Sequence, residues 1–377
     1  MAEIRGFANG PYERLAEVLS ATLDDGSDLG ASVAVTVDGE FVADFWGGWA
    51  DADRTTPWQQ DTIVNTWSTT KTMTGLVALM LVDRGLVDPD APVATYWPEF
   101  AQNGKEGVLV RHVLSHSSGV CGWEQPVVQE DVYDQDKSAQ ILAAQAPWFE
   151  PGSVVGYQAI VHGHLVGEIV RRVTGRSLGT FFAEEVAGPL GADFHIGLAP
   201  EHDTRVTPVL PPPPLPFDFA TLDPASPMYK TFTGPPVGAD FANTPQWRRA
   251  EIGGANGHGN ARSVARVQSV VANGGELDGV RLLSPETVDR IFTVQAEGVD
   301  VVLAVPVRHG LGYGLPSEAV PYVHDNGRVC FWGGWGGSMV VVDAARRTVF
   351  SYMMNRMAPG VVGGPTAEKL LTVFNTI

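Results

Sequence analysis

Ser68 and Lys71 stand three residues apart in the stretch NTWSTTKTMTGLVALMLVDRGL, residues 65–86. On a helix, positions i and i+3 share a face, so the serine hydroxyl and the lysine amine can meet there. Residues 76–82 are apolar without interruption, which predicts a helix buried on all sides, and the Ser/Thr cluster before them marks its start. A cation is poorly placed at that end, where the helix dipole favours negative charge, and burial lowers a lysine pKa further. A neutral or proton-sharing lysine could then activate the serine, which is too weak a nucleophile alone. By itself the tetrapeptide also suits an N-cap serine beside a snorkelling lysine.

Other candidate groups argue for less. Residues 175–179 (GRSLG) fit the G-x-S-x-G pattern, but that elbow needs a strand before its serine. Here an amphipathic helix comes first, with Val161, Leu165, Ile169 and Val173 on one face. Gly175 therefore reads as a helix C-cap and Ser177 as the next N-cap. His112 and His116 are spaced i, i+4, and His162 and His164 form a second pair, yet the H-E-x-x-H pattern is absent and no cysteines cluster with them. They read as structural or surface histidines, and no metal site is expected. His258 lies in GGANGHGN (253–260), which lacks the G-x-x-x-x-G-K-[ST] of a phosphate loop. No cofactor is implied.

Four ordered segments change the weight of the Ser68–Lys71 pair. WSTTK resembles the first motif of the serine β-lactamase and penicillin-binding-protein superfamily, whose S-x-x-K carries the acylated serine. VRHVLSHSSGV (110–120), EPGSVVGYQAIVHGHLVGEIVRRVTGRSL (150–178) and CFWGGWGGS (330–338) resemble, in order, later segments of its class C-like branch. Trp-Gly-Gly at the third motif resembles the family VIII carboxylesterases within that branch. The resemblance implies Ser68 as nucleophile, with Lys71 and Tyr157 managing its proton. A phenol is a poor base at its ordinary pKa near 10, but a neighbouring ammonium would favour its phenolate. The resemblance also implies an oxyanion hole from the backbone N–H groups of Ser68 and Trp335. Gln158, Trp123, Trp332, Gly333 and Gly334 are the expected substrate contacts.

Two departures from the family pattern bear on substrate. The usual cationic or imidazole residue of the third motif is Trp332, whose indole donates one hydrogen bond but carries no charge. The usual Tyr-x-Asn is Tyr157-Gln158-Ala159, so the amide-binding asparagine is missing. Both losses remove polar recognition of a β-lactam, and together they imply a small, uncharged, partly apolar carboxylic ester. On the same site, the alternatives are β-lactam, D-peptide or linear-amide hydrolysis, or acyl transfer. A carboxylate-bearing substrate would need a cation, which Arg308 or Arg328 could supply. A different class of protein, a sensor that acylates without turnover, would use the same serine.

The elements that must position these groups alternate in type. Residues 11–24 read as an amphipathic helix, 31–37 and 41–46 as a hairpin about Asp38-Gly39. Helical segments follow near 110–115, 138–146, 160–173, 178–187, 262–273 and 285–293. Strands return with a turn at Asn326-Gly327 and a hairpin of 339–342 with 348–354, and a last helix begins near Pro365. The expected class is α/β (α+β): an antiparallel sheet flanked by helices, built from residues 1–80 and 290–377, with a mainly helical region over 81–289. Residues 207–216 (TPVLPPPPLP), including the proline run 211–216, cannot be helix or central strand and read as an extended loop.

The 377 residues are 44% hydrophobic and 18% charged, so a large core is affordable without disulfides. A net charge of −18 argues against nucleic acid or an anionic membrane as partner. No apolar run is long enough to span a bilayer and the first residues lack a signal-peptide core, which suggests a cytoplasmic protein. Cys121 and Cys330 are then two buried free thiols.

Overall fold

A computed structural model of the chain describes residues 2–124, 126–214, 218–235, 238–360 and 362–377. Nine strands of the described residues form one antiparallel sheet. In chain order they are β1 (Ile4–Ala8), β2 (Gly30–Val37), β3 (Glu40–Gly48), β4 (Ala296–Val299), β5 (Pro306–His309), β6 (Gly314–Leu315), β7 (Val329–Gly333), β8 (Met339–Asp343) and β9 (Thr348–Met354). Their order across the sheet is β1-β3-β2-β9-β8-β7-β6-β5-β4. The two ends of the chain meet at the centre, where β2 pairs with β9 in the register Val35 opposite Phe350 and Val33 opposite Tyr352.

The period-2 pattern of β2 decides which helix covers which face. Thr36 shares a hydrogen bond of 2.7 Å with Ser269, and Ser32 accepts from the Ala261 amide at 3.1 Å, so the even positions face the helix Ala261–Ala272. Val33 and Val35 point to the opposite face, where the helices Glu13–Asp24 and Pro365–Phe374 pack together and Phe350 meets Phe374. The expected first and last helices, the 2–3 hairpin and the 8–9 hairpin are all present. The expected hairpin at Asn326-Gly327 is not. The partner of β7 on that side is β6, which ends at Leu315, fourteen positions before β7 begins at Val329, in the register Gly314 opposite Phe331. Pro316 and Pro321 interrupt any ladder between them, and His324 and Asn326 turn their side chains onto Asp343 instead. Strands β1, β4 and β5 carry too little pattern to be read from sequence. Pro211 to Pro214 lie outside any helix or strand, after Leu210, which bonds backbone to backbone with Met357, whereas 215 and 216 of the proline run lie outside the described residues. Among the described residues, no helix is long and apolar enough to cross a membrane.

The helix Thr70–Asp83 is the axle of the molecule, buried from Thr70 to Leu81. No face of it is wet, so its polar side chains find partners inside. Thr72 donates to Thr69 O at 2.8 Å, Thr74 donates to Gly253 O at 2.6 Å, and Thr70 accepts from the Gly257 amide at 2.9 Å. It ends at Gly85, whose left-handed φ of +67° closes the last turn. Gly75 is a close-approach position, since a Cβ there would stand 2.6 Å from Gly312 O. Gly75→Ala is therefore expected to lower stability by about 1–3 kcal/mol, against the ~0.5–1 kcal/mol gain of an exposed helix site. Urea unfolding of the two proteins measures the sign.

Candidate active site

Ser68 sits in a tight turn, Trp67–Thr69, that leads directly into the axle helix. Trp67 itself adopts φ +50°, a conformation that a bulky L-residue rarely takes. Its ring is fixed between Trp247 at 5.7 Å and Trp335 at 4.9 Å between centroids, which stabilises the strained turn. One turn on, Lys71 is completely buried. Its Nζ lies 2.7 Å from Ala159 O, 2.7 Å from Gly254 O and 3.2 Å from Ser68 Oγ. Tyr157 reaches the same serine from the other side, donating its hydroxyl to Ser68 Oγ at 2.7 Å, with its ring 4.8 Å from the lysine nitrogen.

Burial without a carboxylate partner pushes the Lys71 pKa well below its ordinary value of 10.5. Burial also pushes the Tyr157 phenol up to about 12, against the opposing hydrogen bonds to Ser68 and Trp332. This corrects the expectation of a favoured phenolate. That expectation assumed a charged lysine, and desolvation outweighs the attraction because it disfavours both charges. A neutral Lys71 has two N–H bonds for the two carbonyls and one lone pair for the serine proton. A protonated Tyr157 then serves as donor, not base.

Lys105 shows that burial alone is not chemistry. It too is fully buried, donating to the carbonyls of Gln102, Ala143 and Gln145, and its pKa falls to about 8. All three acceptors are carbonyls, with no hydroxyl among them, so it staples loops together.

The third-motif strand β7 runs beside Ser68. A Cβ on Gly334 would stand 2.6 Å from Thr66 O, so glycine allows the two segments to touch. Ser338 secures that contact through Thr66 O at 2.8 Å and the Thr69 hydroxyl at 3.0 Å. In the turn after β7, the amides of Gly334, Gly336 and Gly337 are engaged by Ser338 O, Gly360 O and Gly334 O. Among the described residues, none accepts from the Trp335 amide. Trp332 and Gly333 line a mostly apolar cleft with Tyr157, Leu303, Val320 and Phe331.

Two expected substrate contacts are placed differently. Gln158 is fully buried and faces away from Ser68. Its amide nitrogen donates to Val113 O at 2.6 Å, and its oxygen accepts from Ser118 at 2.8 Å. The Ala159 amide donates back to Tyr157 O at 3.1 Å, a tight turn about Gln158 that sends its side chain inward while Tyr157 reaches Ser68. Trp123 is buried edge-on against His164 and donates to Ser138 at 2.7 Å; what it lines is a small cleft with Ala159 and Lys230. Of the two arginines, Arg328 pairs with Asp289 and packs on Phe292, away from the cleft. Arg308 does line the cleft beside Trp332, its guanidinium held by Pro316 O at 3.1 Å and Asp325 at 3.3 Å.

The decoys resolve into scaffolding. Ser177 caps the helix Leu178–Phe182 and donates to Glu251 at 2.8 Å, after Gly175 ends the preceding helix at φ +72°. The glycine-rich 253–259 segment packs on the axle helix and supplies the Gly254 carbonyl to Lys71. Cys121 and Cys330 are buried and free. His116, His162 and His309 form a buried cluster behind Tyr157 and Trp332, with ring centroids 4.9 Å apart from His116 to each of the others. Among the described residues, no group of three His, Cys, Asp or Glu is arranged to hold a metal ion. Sequence reasoning missed the carbonyls that hold Lys71, because backbone acceptors leave no side-chain signature, and it missed the left-handed Trp67.

Burial lowers the pKa of all three clustered histidines, to about 4 for His309. Each is depressed below its unfolded value of 6.5, so the stability it contributes is complete above that pH and declines as pH falls toward the folded value. Depressed carboxylates such as Asp51, held at about 2, act only below their ordinary 3.8, and the two raised carboxyls, Asp28 and Asp300, oppose the larger set of lowered histidines. Urea midpoints are therefore expected to fall between pH 6.5 and 4, and the slope is expected to be shallower in His162→Phe.

The sequence model of the family described as Beta-lactamase matches residues 15–372. The esterase/beta-lactamase LipL of Mycobacterium tuberculosis is 35% identical over 347 residues, covering 88% of this chain and 78% of that one. A crystal structure of a family VIII carboxylesterase superposes with a TM-score of 0.93 at 40% identity, covering all of both chains. A penicillin-binding-protein homologue from Caulobacter crescentus superposes at 0.92 with 34% identity, covering 99% of each.

Proposed function

The chain belongs to the beta-lactamase family, and from that premise we propose that it is a serine carboxylesterase acting on small, uncharged esters through an acyl-enzyme. The observation that carries the reading is Ser68 Oγ held between Lys71 Nζ at 3.2 Å and Tyr157 Oη at 2.7 Å, beside an apolar cleft walled by Trp332. The similarity to a family VIII carboxylesterase and to an esterase/beta-lactamase supports it.

In this reading Ser68 Oγ attacks the ester carbonyl as its proton passes to the Lys71 lone pair. Tyr157 donates a hydrogen bond to the serine oxygen in the resting site and turns to the leaving oxygen once the serine is acylated. The amides of Ser68 and Trp335 take the oxyanion, an interaction whose loss typically costs about 10²–10³ in rate. As the tetrahedral intermediate collapses, the proton held by Lys71 returns through the Tyr157 hydroxyl to the leaving alcohol. Water then repeats the sequence on the acyl-enzyme and releases the acid. No step draws on a metal or organic cofactor. Trp332 offers the acyl or alcohol group an apolar wall and a carboxylate no charge.

A second reading, a substrate with a distal carboxylate, draws on Arg308 in the cleft wall. Against it, Asp325 and Glu297 already flank that guanidinium, the latter at 3.7 Å. Steady-state hydrolysis of p-nitrophenyl butyrate and its carboxylate-bearing analogue, p-nitrophenyl hemisuccinate, separates the two. The butyrate is expected to be the better substrate, and preference for the hemisuccinate would establish the second reading. Ser68→Ala is expected to abolish turnover, about 10⁴-fold or more, and Tyr157→Phe to lower kcat about 10²–10⁴-fold. Full activity in Ser68→Ala would refute the nucleophile.

A further inference from the structure

Tyr157 lies outside any helix or strand. No ladder of its own fixes it, yet its hydroxyl must stand within hydrogen-bond distance of Ser68. Its backbone is held from elsewhere. Three successive amides are gripped in turn: Gly156 donates to His116 O at 2.8 Å, Tyr157 to Asp300 Oδ1 at 3.2 Å, and Gln158 to His116 Nδ1 at 3.1 Å. His116 belongs to the segment that also holds Gln158, but Asp300 arrives from a loop 143 residues further along the chain.

We propose that Asp300 is a positioning residue for the esterase reaction, whose carboxylate sets the Tyr157 hydroxyl on Ser68 by accepting the Tyr157 amide. The proposal rests on the reading in which Ser68 and Tyr157 act together. Asp300 is fully buried, and no cation pairs with it among the described residues. A buried carboxylate without a cation is costly, and burial raises its pKa. What compensates is three amides on a single oxygen. Besides Tyr157, Oδ1 accepts from Val302 at 2.7 Å and Leu303 at 2.9 Å, closing its own loop. Val301 then donates to Val155 O at 2.9 Å, stitching that loop to the segment just ahead of Tyr157. Leu303 lines the cleft that Tyr157 and Trp332 share, so the same acid orders one wall of the substrate site. Serine at 300 could still cap the nearby Val302 and Leu303 amides, but its shorter side chain falls short of Tyr157. Asparagine keeps the accepting oxygen in place, removes the charge and puts an NH2 where Oδ2, which has no hydrogen-bond partner among the described residues, stood. The titratable groups whose charges Asp300 meets are Tyr157 and Cys121.

The test compares Asp300→Ser and Asp300→Asn, each in the wild-type and the Tyr157→Phe backgrounds. Two rates are read: kcat on p-nitrophenyl butyrate, and the rate at which a fluorophosphonate labels Ser68. Asp300→Ser is expected to lower both by about 10–100-fold, with KM within about twofold, because the loss lies in placing the phenol and not in binding. Asp300→Asn is expected to retain at least about a third of each rate. In Tyr157→Phe, Asp300→Ser is expected to add no more than about twofold, since the group it positions is gone. Wild-type rates in Asp300→Ser, or the same loss in both backgrounds, would overturn the proposal. If Asp300→Ser does not fold, Asp300→Asn decides in the same two backgrounds: a tenfold loss of equal size with and without the Tyr157 hydroxyl contradicts the positioning role. If wild type labels but does not turn over the ester, the esterase reading fails while the labelling rates still decide the role of Asp300.

Discussion

The site depends on an amine kept dry between two carbonyls. Lys71 has no carboxylate partner and no water-exposed surface, and its Nζ is aimed at Ala159 O, Gly254 O and Ser68 Oγ. Desolvation disfavours the ammonium form, and in the neutral form the two carbonyls use the two N–H bonds. Only the lone pair is left to face the serine. The rest of the architecture can be understood as what holds this arrangement. The axle helix is buried on all sides to keep water out, the glycine-rich 253–259 segment brings one carbonyl, and the Tyr157 loop brings the other.

The same dryness sets the role of the tyrosine. In a wet site a phenol beside an amine could ionise, but here both would have to carry charge in a place that penalises charge. The pair therefore divides the work, the amine as acceptor and the phenol as donor. The neutral histidines behind Tyr157 extend the apolar character of the site without adding charge to it. Lys105, equally buried but bonded to three carbonyls, marks the difference between a staple and a base. The distinguishing feature is a hydroxyl within reach.

Much of this was legible in the residues, and the parts that were not share a cause. The Ser68–Lys71 pairing follows from helical spacing on an apolar run, and the paired faces of β2 follow from period-2 alternation. These are local patterns. Tyr157 was legible only through resemblance, because its contact with Ser68 crosses 89 residues of chain. Gln158 was misplaced because adjacency in sequence does not imply adjacency in a site when the backbone turns between the two residues. Asp300 and the carbonyls of Ala159 and Gly254 left no local mark. The hairpin expected at Asn326-Gly327 failed because flanking prolines and the pull of Asp343 outweighed a favourable turn dipeptide.

The chemistry of the site turns on whether Lys71 is a neutral amine in the resting protein, and its titration decides this. With ¹³C-labelled lysine methylenes, the Lys71 resonance can be assigned by its absence in Lys71→Met and followed with pH. An amine-type chemical shift is expected through neutral pH, with a midpoint well below 10.5. A Lys71 signal that remains ammonium-like up to its ordinary value would contradict it, and the serine would need another base.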